Sequence, residues 1–110
     1  MSNTPEGKIK RKVVQVLKRH DVWYFFPASN GFGRAGIPDI VAIVDGLFVG
    51  IECKSDPSKK PTKLQEDCGE RIEKAGGLWL LVRSAEDCSE LDKTITDMKK
   101  RVVSVSSRKS

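Results

Sequence analysis

Asp39, Glu52 and Lys54 are spaced so that one β-hairpin would gather two carboxylates and an ammonium at its open end. Two β-rich runs, Asp39–Val44 and Leu47–Lys54, flank Asp45-Gly46, a pair suited to a two-residue turn. Such a turn pairs Val44 with Leu47 and sets Asp39 across from Glu52, with Cβ atoms ~4.5–5.5 Å apart on one face. Lys54, two residues beyond Glu52, points to the same side. Val41, Ile43 and Phe48 fill the rest of that face, and Ile40, Ala42, Val44, Leu47, Val49 and Ile51 line the other. A strand pair apolar on both sides is expected at the centre of a sheet with helices on each face.

Like charges opposed across a ladder destabilise it, and burial adds to the cost. Two readings follow. Either Lys54 neutralises Glu52 at a solvated strand end, or a divalent cation takes up the charge of both acids. In the second case a backbone carbonyl and waters would complete an oxygen shell suited to Mg²⁺. The metal reading is favoured because Asp39 follows Pro38 at the first residue of the strand, where proline is tolerated. The adjacent loop, 27–36, also supplies Arg34 and several glycines. At about 100° per residue, Glu6 falls within about 20° of Val13 and Leu17 on a first helix, so it faces the sheet as a third carboxylate. An acid in a first turn also complements the helix dipole, which explains its position along the axis but not its face.

The rest of the inventory excludes other chemistries. The 110 residues hold one histidine, His20, and three cysteines, Cys53, Cys68 and Cys88. A zinc finger with two histidines, a four-thiol zinc site and a nuclease built on paired histidines are therefore impossible, and there is no Cys-x-x-Cys. Odd, widely spaced thiols fit a reducing cytoplasm better than a disulfide scaffold. Lys+Arg 20 against Asp+Glu 15 gives a net charge of +5, which suits an anionic partner such as nucleic acid. The N-terminus is polar and the longest apolar runs, Ile40–Val44 and Leu78–Val82, are far short of the roughly 20 residues that cross a bilayer. A soluble protein with no membrane partner is expected.

The positioning elements are legible in turn. Thr4 caps a helix with Pro5 in its first turn, and Ile9, Val13, Val16 and Leu17 carry its apolar stripe to His20-Asp21. Val22–Phe26 reads as a strand whose consecutive aromatics, Trp23 to Phe26, are best explained by cover on both faces. After the hairpin, Asp56–Pro61 is a loop. Thr62 caps a second helix through Ala75, with Leu64, Cys68, Ile72 and Ala75 on one side and Gly76-Gly77 ending it. Leu78–Val82 reads as a buried strand; Ser84 with Asp87 resembles a capping box, and Leu91, Ile95, Met98 and Val102 mark a final helix. The order α-β-β-β-α-β-α predicts an α/β sandwich, one domain over 1–105 with a basic flexible tail at 106–110.

Gly36-Ile37-Pro38-Asp39, twelve intervening residues and Glu52-Cys53-Lys54 together resemble the PD-(D/E)XK nuclease signature. The glycine before Pro-Asp, the early Glu6, and Gln65 after Lys60-Pro61-Thr62 make residues 6–82 similar to the virus-type replication-repair nuclease (VRR-NUC) family. The resemblance implies a restriction-endonuclease-like core, a central mixed sheet flanked by helices, and an endonuclease dependent on Mg²⁺ or Mn²⁺. It implies Asp39, Glu52 and the carbonyl of Cys53 as metal ligands, with the Cys53 thiol in the core. Lys54 would orient or help deprotonate the attacking water, and Glu6 would position water or a second metal. Gln65 would face the site from the second helix, or else be a plain solvent-exposed residue. Arg34, Lys59, Lys60 and Lys63, in loops flanking the site, would contact phosphates.

Stand-alone members of that family look like dimeric resolvases of four-way (Holliday) DNA junctions. The implied protein is a homodimer presenting two sites to symmetric strands and leaving 5′-phosphate and 3′-hydroxyl ends. Its implied location is the cytoplasm of a bacterial or phage-infected host cell. A nuclease acting on flaps or other branched DNA is one alternative, and a non-catalytic nucleic-acid-binding module using Trp23 to Phe26 is another. Gly31-Phe32-Gly33-Arg34-Ala35-Gly36 also spells Gly-x-Gly-x-x-Gly, but Pro38 and a β-rich run follow where a dinucleotide site needs a helix, so no nucleotide cofactor is expected.

Overall fold

The computed structural model describes residues 3–28 and 36–106, with side chains as far as residue 100. Its elements are α1 (Pro5–Arg19), β1 (Trp23–Phe25), β2 (Ile40–Val44), β3 (Leu47–Cys53), α2 (Lys63–Lys74), β4 (Leu78–Val82) and α3 (Ala85–Ser106), the predicted order. The strands form one mixed sheet, β1-β2-β3-β4: the first three are antiparallel, and β4 lies parallel to β3. A parallel neighbour needs a crossover, and α2 supplies it. Among the described residues no helix is long and apolar enough to cross a membrane.

The hairpin has the predicted register, with Val44 paired to Leu47 and Ile40 to Ile51. Asp45 (φ 49°) and Gly46 (φ 89°) both take the left-handed conformation that a tight hairpin turn requires. One sheet face is fully covered: Ile40, Ala42, Val44, Val49, Ile51 and Cys53 pack against Ile9, Val13 and Leu17 of α1 and Leu91 and Ile95 of α3. His20 Nε2, 2.5 Å from Asp92 Oδ1, ties the end of α1 to α3.

The opposite face departs from expectation. Among the described residues only α2 covers it, lying over β3 and β4, and of the expected stripe Leu64, Cys68, Ile72 and Ala75 only Cys68 and Ile72 are partly buried. Leu64 is 57% exposed. The helix instead approaches at Gly69, where a Cβ would lie 2.4 Å from the Trp79 ring, and Ile72 packs on Gly50 and Gly77. That close approach turns Gln65, Gly69 and Ile72 inward and leaves Leu64 and Ala75 outside. β1 is a three-residue edge strand, shorter than predicted, and its aromatics are not covered on both faces. Tyr24 packs on the core, while Trp23 (63% exposed), Phe25 and Phe26 stand clear of it with Ile43 and Phe48. β4, expected to be buried, forms the other edge and is half-buried except at Val82.

Candidate active site

Four elements bring the candidate residues to one end of the sheet. Thr4 Oγ1 accepts from Gly7 N–H at 3.0 Å and starts α1 so that Glu6 and, one turn later, Lys10 face the sheet end. Pro38 packs against Gly50, where a Cβ would lie 2.8 Å from the proline Cγ; this close fit sets where the chain enters β2 with Asp39. Asp39 Oδ2 accepts from the Cys53 N–H at 2.8 Å, a side-chain bond across the mouth of the hairpin. Lys54 N–H donates to Val82 O at 3.0 Å, so the ladder runs one residue past β3 and the pleat returns the lysine to the Glu52 side.

Glu52 is 1% exposed. Its Oε1 accepts from Gln65 Nε2 at 3.2 Å, while its buried Oε2 meets no donor, and the carboxyl lies within hydrogen-bonding reach of the Asp39 carboxylate. Burial pushes its pKa up to about 9; Asp39 beside it pushes the same way, and Lys54 offsets part of the rise. Gln65 also completes the start of its own helix. Its Oε1 accepts from Thr62 N–H at 2.8 Å, closing a capping box with the Thr62 hydroxyl. The cap fixes the glutamine, and the glutamine fixes Glu52. It is half-buried and bonded rather than a plain exposed residue.

The carboxylates are bridged by a residue not anticipated from sequence. Lys10 Nζ lies 3.3 Å from Glu6 Oε2 and 3.7 Å from Asp39 Oδ1. Burial pulls the lysine pKa down, but Asp39 and Glu6 outweigh it and the net shift is upward. Its position one turn after Glu6 is the available signal, but among so many basic neighbours it reads as part of a solvated face.

The remaining predicted residues divide. The Cys53 thiol is buried among the core side chains, and burial raises its pKa. Lys59 and Lys60 are exposed in the loop after Lys54. Arg83 pins that loop, donating from Nη1 to Pro57 O at 3.0 Å and Lys59 O at 2.9 Å. No local pattern announces Arg83, because its partners lie far away in the chain. Lys63 is not in a loop: it opens α2, and its ammonium is engaged by Asp67 at 3.2 Å. Arg34, and Gly31 to Ala35 of the Gly-x-Gly-x-x-Gly match, lie outside the described residues; the chain after Gly36 enters β2.

Among the described residues no three His, Cys, Asp or Glu side chains form a closed metal cage. The donor set nonetheless suits a hydrated hard cation, which keeps several waters and needs only one or two carboxylates. The buried Glu52 oxygen without a partner, beside Asp39, is the feature a cation would satisfy.

A mixed sheet flanked by helices, with acids at the ends of its two central strands and a lysine one residue past the second, defines a nuclease of restriction-endonuclease-like fold. The family model for the archaeal Holliday junction resolvase (Hjc) matches residues 6–94, and the chain belongs to that family. A solved VRR_NUC domain is similar with a TM-score of 0.73 at 25% identity, covering 82% of this chain and 96% of that one, as the sequence resemblance leads one to expect. No curated protein matches the chain.

Proposed function

We propose that the protein is a divalent-metal-dependent endonuclease that resolves four-way DNA junctions as a homodimer. The observation that carries the reading is the buried Glu52 carboxyl held within hydrogen-bonding reach of Asp39, with one oxygen that meets no donor, in a chain of the resolvase family. Asp39, Glu52 and the Cys53 carbonyl would hold Mg²⁺ or Mn²⁺, which when bound acidifies a water and polarises a phosphoryl oxygen.

The chain's own groups do the rest. The Cys53 N–H fixes Asp39, and Gln65 fixes Glu52, so neither carboxylate has to reorganise during reaction. Lys54 orients the attacking water, helps it lose its proton and offsets charge developing on the phosphorus oxygens. Glu6 positions water or a second cation. Water adds to phosphorus as the bond to the 3′ oxygen breaks, leaving a 5′-phosphate and a 3′-hydroxyl. Lys59 and Lys60, on the loop pinned by Arg83, contact flanking phosphates, with Arg34 from the preceding loop. Lys63, already paired to Asp67, contributes less.

The sheet face that the described residues leave uncovered supports the homodimer. Phe25 and Phe48 line an open cleft of about 660 Å³ whose described lining is apolar apart from Arg71, and Trp23 and Ile43 are exposed on the same sheet face. Alternately exposed rings also suit base stacking, but a nucleic-acid surface needs several cations, whereas an apolar patch suits a second copy. Action in the reducing cytoplasm of a bacterial or phage-infected host cell is consistent with three free thiols.

The test incubates labelled four-way, flap, single-stranded and duplex DNA with Mg²⁺ or Mn²⁺, comparing wild type with Asp39→Ala and Lys54→Ala. Junction cleavage by wild type alone is expected. Binding without metal-dependent cleavage defeats the nuclease chemistry proposed here and favours a binding module. Equal cleavage by Asp39→Ala defeats the site assignment, and duplex cut as readily as junctions defeats the resolvase assignment.

A further inference from the structure

The acids at the sheet end are not left uncompensated: Lys54 offsets part of the charge at Glu52, but the cation in ion-pair contact with Glu6 and Asp39 is Lys10. Among the described residues Lys54 makes no ion pair, whereas Lys10 reaches both Glu6 and Asp39. Lys10 is also unlike a solvated lysine. Its side chain is only 27% exposed, while Lys8, Lys18 and Arg19 on the same helix are exposed.

The division of labour on Asp39 gives this contact a consequence. Oδ2 is committed to the Cys53 N–H, a bond that closes the hairpin mouth. The Glu52 carboxyl lies against the same carboxylate, and Oδ1, which does not bond the Cys53 N–H, is the oxygen in ion-pair contact with the Lys10 ammonium. A metal ion at Oδ1 and the ammonium 3.7 Å from it would be like charges competing for the same oxygen. A lysine head is a compact point charge on a flexible stem, so it can occupy such a position and withdraw from it.

We propose that Lys10 is a tethered counter-ion that occupies the metal position at Asp39 Oδ1 and must be displaced for a divalent cation to bind. The inference rests on the metal-dependent reading of this site. In the metal-free protein the ammonium holds Glu6 and Asp39 together and keeps the cluster of acids from repelling. Metal binding breaks both ion pairs, so the lysine weakens metal affinity and makes metal-free folding easier. Linkage makes these two effects one coupling: what the lysine adds to the empty site it subtracts from metal binding.

The test is metal binding rather than turnover. Calorimetric titration with Mn²⁺ is run on the full chain for wild type, Lys10→Met, Lys10→Arg and Lys8→Met, each checked for folding by circular dichroism. Lys10→Met keeps the stem and removes the charge; it is expected to bind Mn²⁺ about 5-fold tighter or more and to melt at a lower temperature than wild type in EDTA. Lys10→Arg keeps the charge and is expected not to bind tighter than wild type. Lys8→Met removes a charge from the exposed side of the same helix and is expected to leave affinity unchanged. Unchanged or weaker binding by Lys10→Met, with wild type binding normally, overturns the proposal and leaves the metal site standing. Equal tightening by Lys8→Met also overturns it, since net charge would then suffice. No binding by wild type or by Lys10→Met overturns this inference and the metal reading together.

Discussion

Replacing Glu52 by glutamine is expected to stabilise the metal-free protein while abolishing cleavage. Burial, and then Asp39 beside it, raises the Glu52 pKa from 4.5 to about 9. At pH 7 the folded protein therefore carries this carboxyl protonated, whereas the unfolded chain carries it ionised. Folding must take up a proton, so the cost is absent below the unfolded pKa, grows as pH rises, and levels off above the folded pKa. At about 1.4 kcal/mol per unit, over the 2.5 units between 4.5 and pH 7, the cost has an upper bound of about 3.5 kcal/mol. Glutamine keeps the shape and offers its own amide oxygen to Gln65, but it takes up no proton. Its Tm in EDTA is expected to exceed that of wild type by roughly 10 °C at pH 7, by less near pH 5 and by more near pH 8. Scanning calorimetry across that range is the assay. Parallel profiles for the two proteins, or a glutamine variant less stable at every pH, would refute the reasoning.

Gly69→Ala places a methyl against the Trp79 ring, and overpacking is expected to outweigh the gain in helix propensity by about 1–2 kcal/mol; a lower urea midpoint with an unchanged slope would show it. Arg83→Ala frees the loop carrying Lys59 and Lys60, so junction affinity in Ca²⁺ is expected to fall severalfold and the loop to become sensitive to limited proteolysis. Unchanged affinity would mean that those lysines do not need a fixed loop. Phe48→Asp puts a charge on the uncovered sheet face and is expected to raise the dimer dissociation constant about 30-fold or more, read by sedimentation equilibrium. A wild-type protein that sediments as a monomer would remove the dimer from the proposal.

What can be read from the chain alone is whatever local chemistry decides. Asp45-Gly46 fixes the turn and the turn fixes the register, so the pairing behind the Asp39–Glu52 approach is legible before any tertiary contact is known. The α2 cap is legible at Thr62 for the same reason. Its partner Gln65 is not fully legible, because a capping-box residue that also bonds Glu52 depends on where the helix lies over the sheet. The Leu64, Cys68, Ile72 and Ala75 stripe misleads because periodicity reports which positions are apolar, not how closely a helix approaches. Gly69 against Trp79 decides that, and nothing near Gly69 in sequence mentions the tryptophan. The β1 aromatics mislead in another way: a run of apolar residues says that both faces want cover, not that the described residues supply it.

The hairpin makes the site and the uncovered face two sides of one constraint. Residues alternate along a strand, so the parity that points Asp39, Glu52 and Lys54 to one face also points Val41, Ile43 and Phe48 there. A register slip of one residue would send the acids into the core and the valines of the core to solvent. The chain cannot bury Phe48 and Ile43 on the α1–α3 side without moving the acids with them. Among the described residues the only element on the other side is α2, which lies over β3 and β4. On this argument the exposed patch is what remains when the acid pair is placed at the open end of a hairpin whose far half is packed on no helix among the described residues. A second copy packed there would cover apolar surface while leaving the acids at the sheet end open to DNA.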